Sequence, residues 1–457
     1  MGSLRATLLV NKRLRAGATS PPQQLTGLDI FSGHIGIPVI LVYRKGFDLA
    51  RAEQALVATL AQYPIITGRF RKGADGHAFV DGSDAGIDYR VHRIDQPMPA
   101  YGLERPMSNR EIRQFHRPFL PWQLFGKDMP LLQVDVWQYA CGGIVLCCYG
   151  AHSLFDGAAY WQFMQDWSRA CHGEAVKAAA FDHDTVIQAG LTGATPDGNG
   201  ILVDPPMGRR LGIYARLGWL AVTKLRKEVI RVPAAQVQRW KEQAKALLPA
   251  DVGVSTVELV AAHCMKVLSP QWPTGKPRTV GIVLDLRHKR RLRIPRDYFG
   301  NALCWGEVRY TQAELASESL PLLAQRCRPA PEQVSNEALW RLLALIEQYR
   351  QKKAVWRLFL NSAGDTLDGG LILNNCIHFP MYDIDLGSGV PDWYDICGVA
   401  FRMLMVVHTP SKDGGVDLHF TATRAELAAV RQSLARLAAD RDSSVPATAE
   451  SVGQATV

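Results

Sequence analysis

The chain has 457 residues and a mass of 50.5 kDa, more than a single hydrophobic core usually supports, so two domains are expected. Apolar residues at 47% and charged residues at 21% mark a globular chain and exclude a disordered one. The balance of 52 basic against 43 acidic residues, a net +9, leaves nucleic acid, an anionic surface or a phosphate-bearing ligand to be weighed.

No apolar run approaches the ~18–20 residues of a membrane span, and Leu8-Leu9-Val10 after a single arginine is too short for a secretion signal. Nine cysteines, an odd number with no Cys-x-x-Cys pair, argue against a disulfide scaffold and against a zinc site. The densest basic run, His288-Lys289-Arg290-Arg291-Leu292-Arg293, is accompanied by no repeat, zinc module or RNA-binding signature. A reduced cytoplasmic protein is expected, without metal, nucleic acid or membrane as partner.

In chain order, Ile37 to Tyr43 reads as a strand and Leu49 to Gln62 as an amphipathic helix. Gly68 to Val91 reads as a hairpin turning at Gly73-Ala74-Asp75-Gly76. Leu131 to Tyr139 alternates, and Gly142-Gly143 turns it into a wholly apolar strand, Ile144 to Tyr149. Gly150-Ala151-His152-Ser153-Leu154-Phe155-Asp156-Gly157 then leads into a helix, Ala158 to Ala170. Residues 188 to 208, rich in Gly, Pro, Asp and Thr, read as a linker between a first domain, 1–190, and a second, 209–441. In the second, Ala234 to Leu248 is a helix, and Ser255-Thr256-Val257-Glu258 spells a capping box before the helix Leu259 to Leu268. Val280 to Leu286 reads as a buried strand and Ala338 to Leu360 as a long helical stretch. Phe401 to His408 and Gly415 to Ala422 pair around Ser411-Lys412-Asp413-Gly414. Arg424 to Leu437 is the last helix, and 442–457 reads as a disordered tail.

The sequence holds no P-loop, no complete Gly-x-Gly-x-x-Gly and no Gly-x-Ser-x-Gly elbow. It does hold His-x-x-x-Asp-Gly twice, at His77 to Gly82 and at His152 to Gly157. His77 follows a polar turn inside a hairpin, where His and Asp are surface neighbours of a sheet. His152 lies past the carboxyl end of an apolar strand at a turn into a helix, where α/β proteins gather ligands and catalytic groups. A neutral histidine there can take a proton from a hydroxyl or amine. A structural histidine fits the same position equally well.

Context beyond this motif resembles the BAHD family of acyl-CoA-dependent acyltransferases over about residues 5 to 440. His152 to Gly157 matches the family's His-x-x-x-Asp-Gly. Tyr298-Phe299-Gly300-Asn301 matches its Tyr-Phe-Gly-Asn, behind Asp285-Leu286-Arg287 at a strand end. Asp385-Leu386-Gly387-Ser388-Gly389 is a degenerate Asp-Phe-Gly-Trp-Gly, and Leu25-Thr26-Gly27-Leu28-Asp29 is similar to the N-terminal segment. The resemblance implies an α/β fold of two chloramphenicol-acetyltransferase-like domains, each a mixed sheet with flanking helices, and a tunnel between them. It implies acyl transfer from acyl-CoA to a hydroxyl or amine of a small molecule, with no tightly bound cofactor, in a monomer. It casts His152 as general base and Asp156 as a loop-holding residue paired with Arg287. Asp385, Gly387 and Gly389 become structural residues shaping the second domain.

Two departures stand out. Plant members carry Thr-Ser-Trp where this chain has Asn374-Asn375-Cys376, which makes Asn374 the candidate oxyanion donor, with polar padding of a turn as the competing reading. The arginine that shikimate-using members place near Asn361 is missing, with Arg357 one turn away. For the CoA phosphates, Ser255 and Thr256 open a helix suited to an anion, although Ser255 serves equally as a plain N-cap. A carrier-protein-dependent condensation domain and a non-catalytic relative remain the alternatives. Condensation domains usually show paired histidines, whereas Ala151 precedes His152 here.

Overall fold

The computed structural model describes residues 5–33, 35–125, 128–191 and 193–444. Two six-stranded mixed sheets organise these residues. In spatial order the first sheet runs Thr7–Leu14, Ile87–Ile94, Leu132–Tyr139, Ile144–Ala151, Gly36–Tyr43 and Trp393–Ile396. The second runs Leu225–Val232, Val416–Thr423, Met403–His408, Gly370–Asn375, Arg278–Asp285 and Leu303–Tyr310.

The strand that leads to His152 is buried along all eight residues, Ile144–Ala151. Alternation explains how both its faces are covered. Ile144, Leu146 and Cys148 join Val39, Leu41 and Tyr43 in the main core of the first half. Val145 and Cys147 face the other way, into a smaller cluster with Ile40, Val42, Ile112, Phe115 and Trp137. On the main-core side the helices Leu49–Gln62 and Gly157–Cys171 lie together, pinned where the Trp167 indole donates to the carbonyl of Ala52 at 2.8 Å. Each such fully buried apolar side chain contributes ~1.5–3 kcal/mol, so this strand end is a rigid platform.

The structure differs from the sequence reading at several boundaries. Phe70–Lys72 and Ala78–Val80 form the expected hairpin, but Ile87–Ile94 leaves it to pair in parallel with Leu132–Tyr139. The stretch 188–208 is packed: helix His183–Gly190 runs into it, and Leu202–Val203 pairs with Phe359–Leu360. Gly190 is held so close to the helix Asn336–Gln351 that a Cβ there would come within 2.7 Å of Glu347. A helix the sequence reading did not mark, Met207–Thr223, follows. The long helix stops at Gln351, short of Leu360, because Lys353 turns left-handed at φ +54°. Segment 209–441, read as one body, sends Trp393–Ile396 across to the edge of the first sheet, beside Gly36–Tyr43. The last helix extends over Arg424–Ser444, taking in the first residues of the expected tail. The remainder of that tail lies outside the described residues.

Candidate active site

His152 directly follows the strand Ile144–Ala151. Its N–H donates to the Ile35 carbonyl at 2.8 Å, and the Leu154 N–H closes a turn onto Ala151 at 2.9 Å. Leu154 and Phe155 are fully buried in the first core and anchor the turn. The short polar and apolar residues of the motif therefore have opposite jobs: two fasten the loop, while His152 stays half-exposed at its rim.

Asp156 points away from the imidazole. It is fully buried and acts as N-cap of the helix Gly157–Cys171, accepting the Ala159 N–H at 3.0 Å. Its two oxygens also receive the Arg287 guanidinium in a fork at 2.9 and 3.0 Å, and the Ala302 N–H at 2.9 Å. Arg287 completes its set with the carbonyls of Tyr298 and Gly300, both at 3.0 Å, and with Asp285 at 3.1 Å. Burial works against its charge, but Asp156 and Asp285 prevail and hold the guanidinium above its ordinary pKa.

The Tyr-Phe-Gly-Asn segment is the second half's insertion into the first. Phe299 lies in the first core, edge-on to Tyr63 at 5.1 Å and near Phe155 at 5.7 Å. Gly300 has φ +154° and passes so near Tyr298 that a Cβ would sit 2.6 Å from the phenol oxygen. Burial pushes the Tyr298 phenol up. Asn301 donates its amide to the His152 carbonyl at 2.8 Å and to Asp29 at 2.9 Å. Asp29 also accepts the Asn301 N–H at 3.2 Å and closes a capping box with Thr26. In the sequence Asp29 stands out only as part of the segment Leu25 to Asp29. Its signal was the Thr26-x-x-Asp29 capping pattern, which gives no hint of a partner 272 residues away.

The imidazole itself is not oriented by a carboxylate. Its Nδ1 is buried and meets no hydrogen-bond partner among the described residues. The decoy motif is built differently. The His77 N–H bonds Asp75 at 2.9 Å, while Asp81 accepts the Arg69 N–H and pairs with the exposed Arg71 at 3.0 Å.

Gly157 touches the second half from the other side, since a Cβ there would come within 2.9 Å of the Phe379 ring. Phe379 follows the strand Gly370–Asn375, on which Asn374 is half-buried. The Asp385 loop is remote from this cluster. Eleven residues along the helix from Gly157, or ~16 Å, Ser168 exchanges hydrogen bonds with the Asp385 backbone at 2.9 and 3.0 Å. The Asp385 carboxylate gathers the N–H groups of Gly387 and Gly389 at 2.8 and 2.9 Å. Burial alone would raise its pKa, but the N–H groups of Gly389 and Gly387 bring it below the usual value. The loop thus docks on the first half, where the sequence reading had it shaping the second.

Ser255 caps the helix Thr256–Leu268 as spelled, and the Glu258 carboxylate returns to the Ser255 N–H at 2.6 Å. Arg328 grips that same carboxylate at 2.5 and 2.8 Å. Arg357 pairs with Asp204 at 2.7 Å, so it is engaged on the surface.

The sequence profile of the Transferase family matches residues 18–437. Among characterised proteins the chain is 23% identical to hydroxycinnamoyl-CoA:5-hydroxyanthranilate N-hydroxycinnamoyltransferase HHT4 of Avena sativa, over 89% of this chain and 94% of that one. It is 25% identical to tryptamine benzoyltransferase 1 of Oryza sativa subsp. japonica, over 88% and 91%. Among solved structures, F. sporotrichioides TRI101 complexed with coenzyme A and T-2 superposes with a TM-score of 0.72 at 15% identity, over 91% and 99%. With a histidine loop clamped between two mixed sheets and a family match across nearly its whole length, the chain belongs to the Transferase family, the BAHD acyl-CoA-dependent acyltransferases.

Proposed function

We propose that His152 is the general base of acyl transfer from an acyl-CoA to a hydroxyl or amine of a small-molecule acceptor. The observation that carries this is the seating of His152. The loop is fixed by both halves of the chain, and Asp156 is committed to Arg287. With Nδ1 enclosed, Nε2 is the nitrogen left to meet the acceptor. It takes the acceptor's proton as oxygen or nitrogen attacks the thioester carbonyl. The carbon–sulfur bond then breaks, and the imidazolium returns the proton to the leaving thiolate. No carboxylate relay is needed, because the histidine need only hold one proton for the life of the tetrahedral intermediate.

Asn374 is the proposed donor to the oxyanion of that intermediate, since its amide can replace the missing Thr-Ser-Trp group. Arg287, Asp156, Gly157, Tyr298, Gly300 and Asn301 position the base without touching the proton. Asp385, Gly387 and Gly389 hold the crossing segment onto the first half. For the CoA phosphates, Ser255 and Thr256 remain the proposed contact, beside the Glu258–Arg328 ion pair. A monomer suffices, because one chain supplies both His152 and Arg287. A cytoplasmic setting suits its scattered cysteines, seven of which are buried.

The test is incubation of the pure protein with a panel of acyl-CoAs and with alcohol and amine acceptors, following free thiol. Thiol release that requires both substrates is expected. Turnover only with an acyl group loaded on a carrier protein would overturn the donor. No turnover with either donor would favour a non-catalytic relative.

A further inference from the structure

The helix Met207–Thr223 turns a largely apolar face to solvent. Only Arg210 and Leu217 on it are buried. Met207, Leu211, Tyr214, Trp219 and Val222 are 50%, 60%, 49%, 56% and 80% exposed. At 100° per residue, Met207, Leu211, Tyr214 and Val222 fall on one stripe, with Trp219 at its margin. The adjoining Trp356, 59% exposed, extends the patch. It stacks over the Arg210 guanidinium at 4.9 Å, and Tyr214 meets Phe359 edge-on at 5.7 Å. Monomeric soluble proteins rarely leave a contiguous apolar patch of this kind to water.

Charge identifies the occupant. Between Asp204 and Glu228 the chain holds six basic residues and no acidic one, of which Arg210 and Lys227 are buried and Arg216 pairs with Asp368 at 3.0 Å. Arg209 and Lys224 stand exposed at the two ends of the helix, and Lys352 is exposed four residues before Trp356. The Lys224 ammonium lies 5.7 Å over the Trp219 ring, a cation beside an aromatic anchor. We propose that this face is a peripheral membrane-binding surface that lays its apolar stripe into the boundary of an anionic bilayer. Aromatic and aliphatic side chains enter, and the flanking cations meet lipid headgroups. A second copy of the chain fits poorly. An antiparallel pair of these helices sets Arg209 against Lys224, and a parallel pair sets each against itself, so like charges meet either way. The proposal revises the expectation from composition that no membrane is a partner. It requires no spanning segment, and no helix among the described residues is long and apolar enough to cross a bilayer.

Flotation of the full chain with vesicles tests it. Wild type should float with vesicles of phosphatidylcholine mixed with phosphatidylserine. It should float roughly tenfold less with phosphatidylcholine alone or in high salt. The triple variant Leu211→Gln, Trp219→Gln, Val222→Gln changes only exposed side chains, so acyl transfer to a soluble acceptor should persist while flotation falls at least ~tenfold. The single variant Lys224→Glu should lower flotation on the anionic vesicles alone, and it keeps the test open if the triple variant misfolds. Wild type that floats with neither vesicle, or variants that float as well as wild type, would overturn the proposal. So would a wild-type dimer that the triple variant converts to monomer, which would give the face to a second copy.

Discussion

Removing Asp156 perturbs more than the motif's spelling suggests. The carboxylate is 0% exposed and accepts four hydrogen bonds, two from Arg287 and one each from the N–H groups of Ala302 and Ala159. In Asp156→Ala the guanidinium stays buried, with Asp285 and two carbonyls as remaining acceptors. Breaking a buried pair from one side costs about 3–5 kcal/mol, and the lost N-cap is part of the same loss, worth ~1 kcal/mol. Differential scanning calorimetry should show a fall in Tm of roughly 3–5 °C for a chain of this length. Because Arg287→Met removes the stranded charge, adding it to Asp156→Ala should cost less than the two single changes summed. Activity of the surviving folded fraction should drop, while the acid limb of its pH–rate profile stays where wild type has it. An Asp156→Asn variant with unchanged Tm and a displaced acid limb would refute the reasoning, because it would make Asp156 a partner of the proton.

The proposed base should behave oppositely. His152→Ala should reduce turnover by roughly 10²–10⁴ with an unchanged Tm, whereas His77→Ala should leave both as they were; steady-state rates and thermal melts check this. Asn374→Ala should cut kcat by about 10²–10³ if its amide serves the oxyanion, with little change in KM, and an unaltered kcat would remove it from the site. Acid should weaken the fold through two buried histidines. Burial lowers His263 to about 4 and His419 to about 3. The unfolded chain therefore binds protons first as pH falls below ~6.5. Stability is fully present above that value and is lost downward toward the folded values, by up to ~1.4 kcal/mol per pH unit for each group. Urea titrations at pH 7 and pH 5 should show a lower midpoint at pH 5 and a smaller difference in His263→Leu. Equal midpoints in wild type would contradict it.

What the sequence discloses here is local. The strand Ile144–Ala151 and the turn at His152 lie side by side in the chain, so hydrophobic pattern and glycine punctuation locate them. Arg287 and Asn301 become visible only through the resemblance, because nothing near either one names its partner. Asp29 shows the limit well. Its capping box is legible, but its second set of bonds reaches Asn301. The crossing strand Trp393–Ile396 is short and contains a buried Asp395, which spoils its apolar pattern. That charge is met by Lys227 and by the Met107 N–H, contributions from two other parts of the chain. The helix Met207–Thr223 is hard to read in the sequence for a related reason. Three glycines, Gly208, Gly212 and Gly218, dilute its period, and Pro206 supplies no side-chain cap.

These long-range bonds explain why a motif of one histidine needs so much of the chain. Asn301 holds the His152 carbonyl, the Gly300 carbonyl accepts the Asp156 N–H at 3.3 Å, and Arg287 grips the Asp156 side chain. All three arrive from the second half. Each ordinary bond is worth only ~1 kcal/mol in stability, yet a displacement of about 1 Å at a reacting group costs roughly 10²-fold in rate. The contacts therefore matter more through position than through energy. A carboxylate bonded to the imidazole would orient the ring from within one domain. Here the bonds that fix the His152 backbone come from the docking of two halves, so the loop is correctly placed only when those halves are together. Loosening the Tyr298–Asn301 insertion should lower kcat before it lowers Tm, because the loop can drift by an ångström long before either core opens.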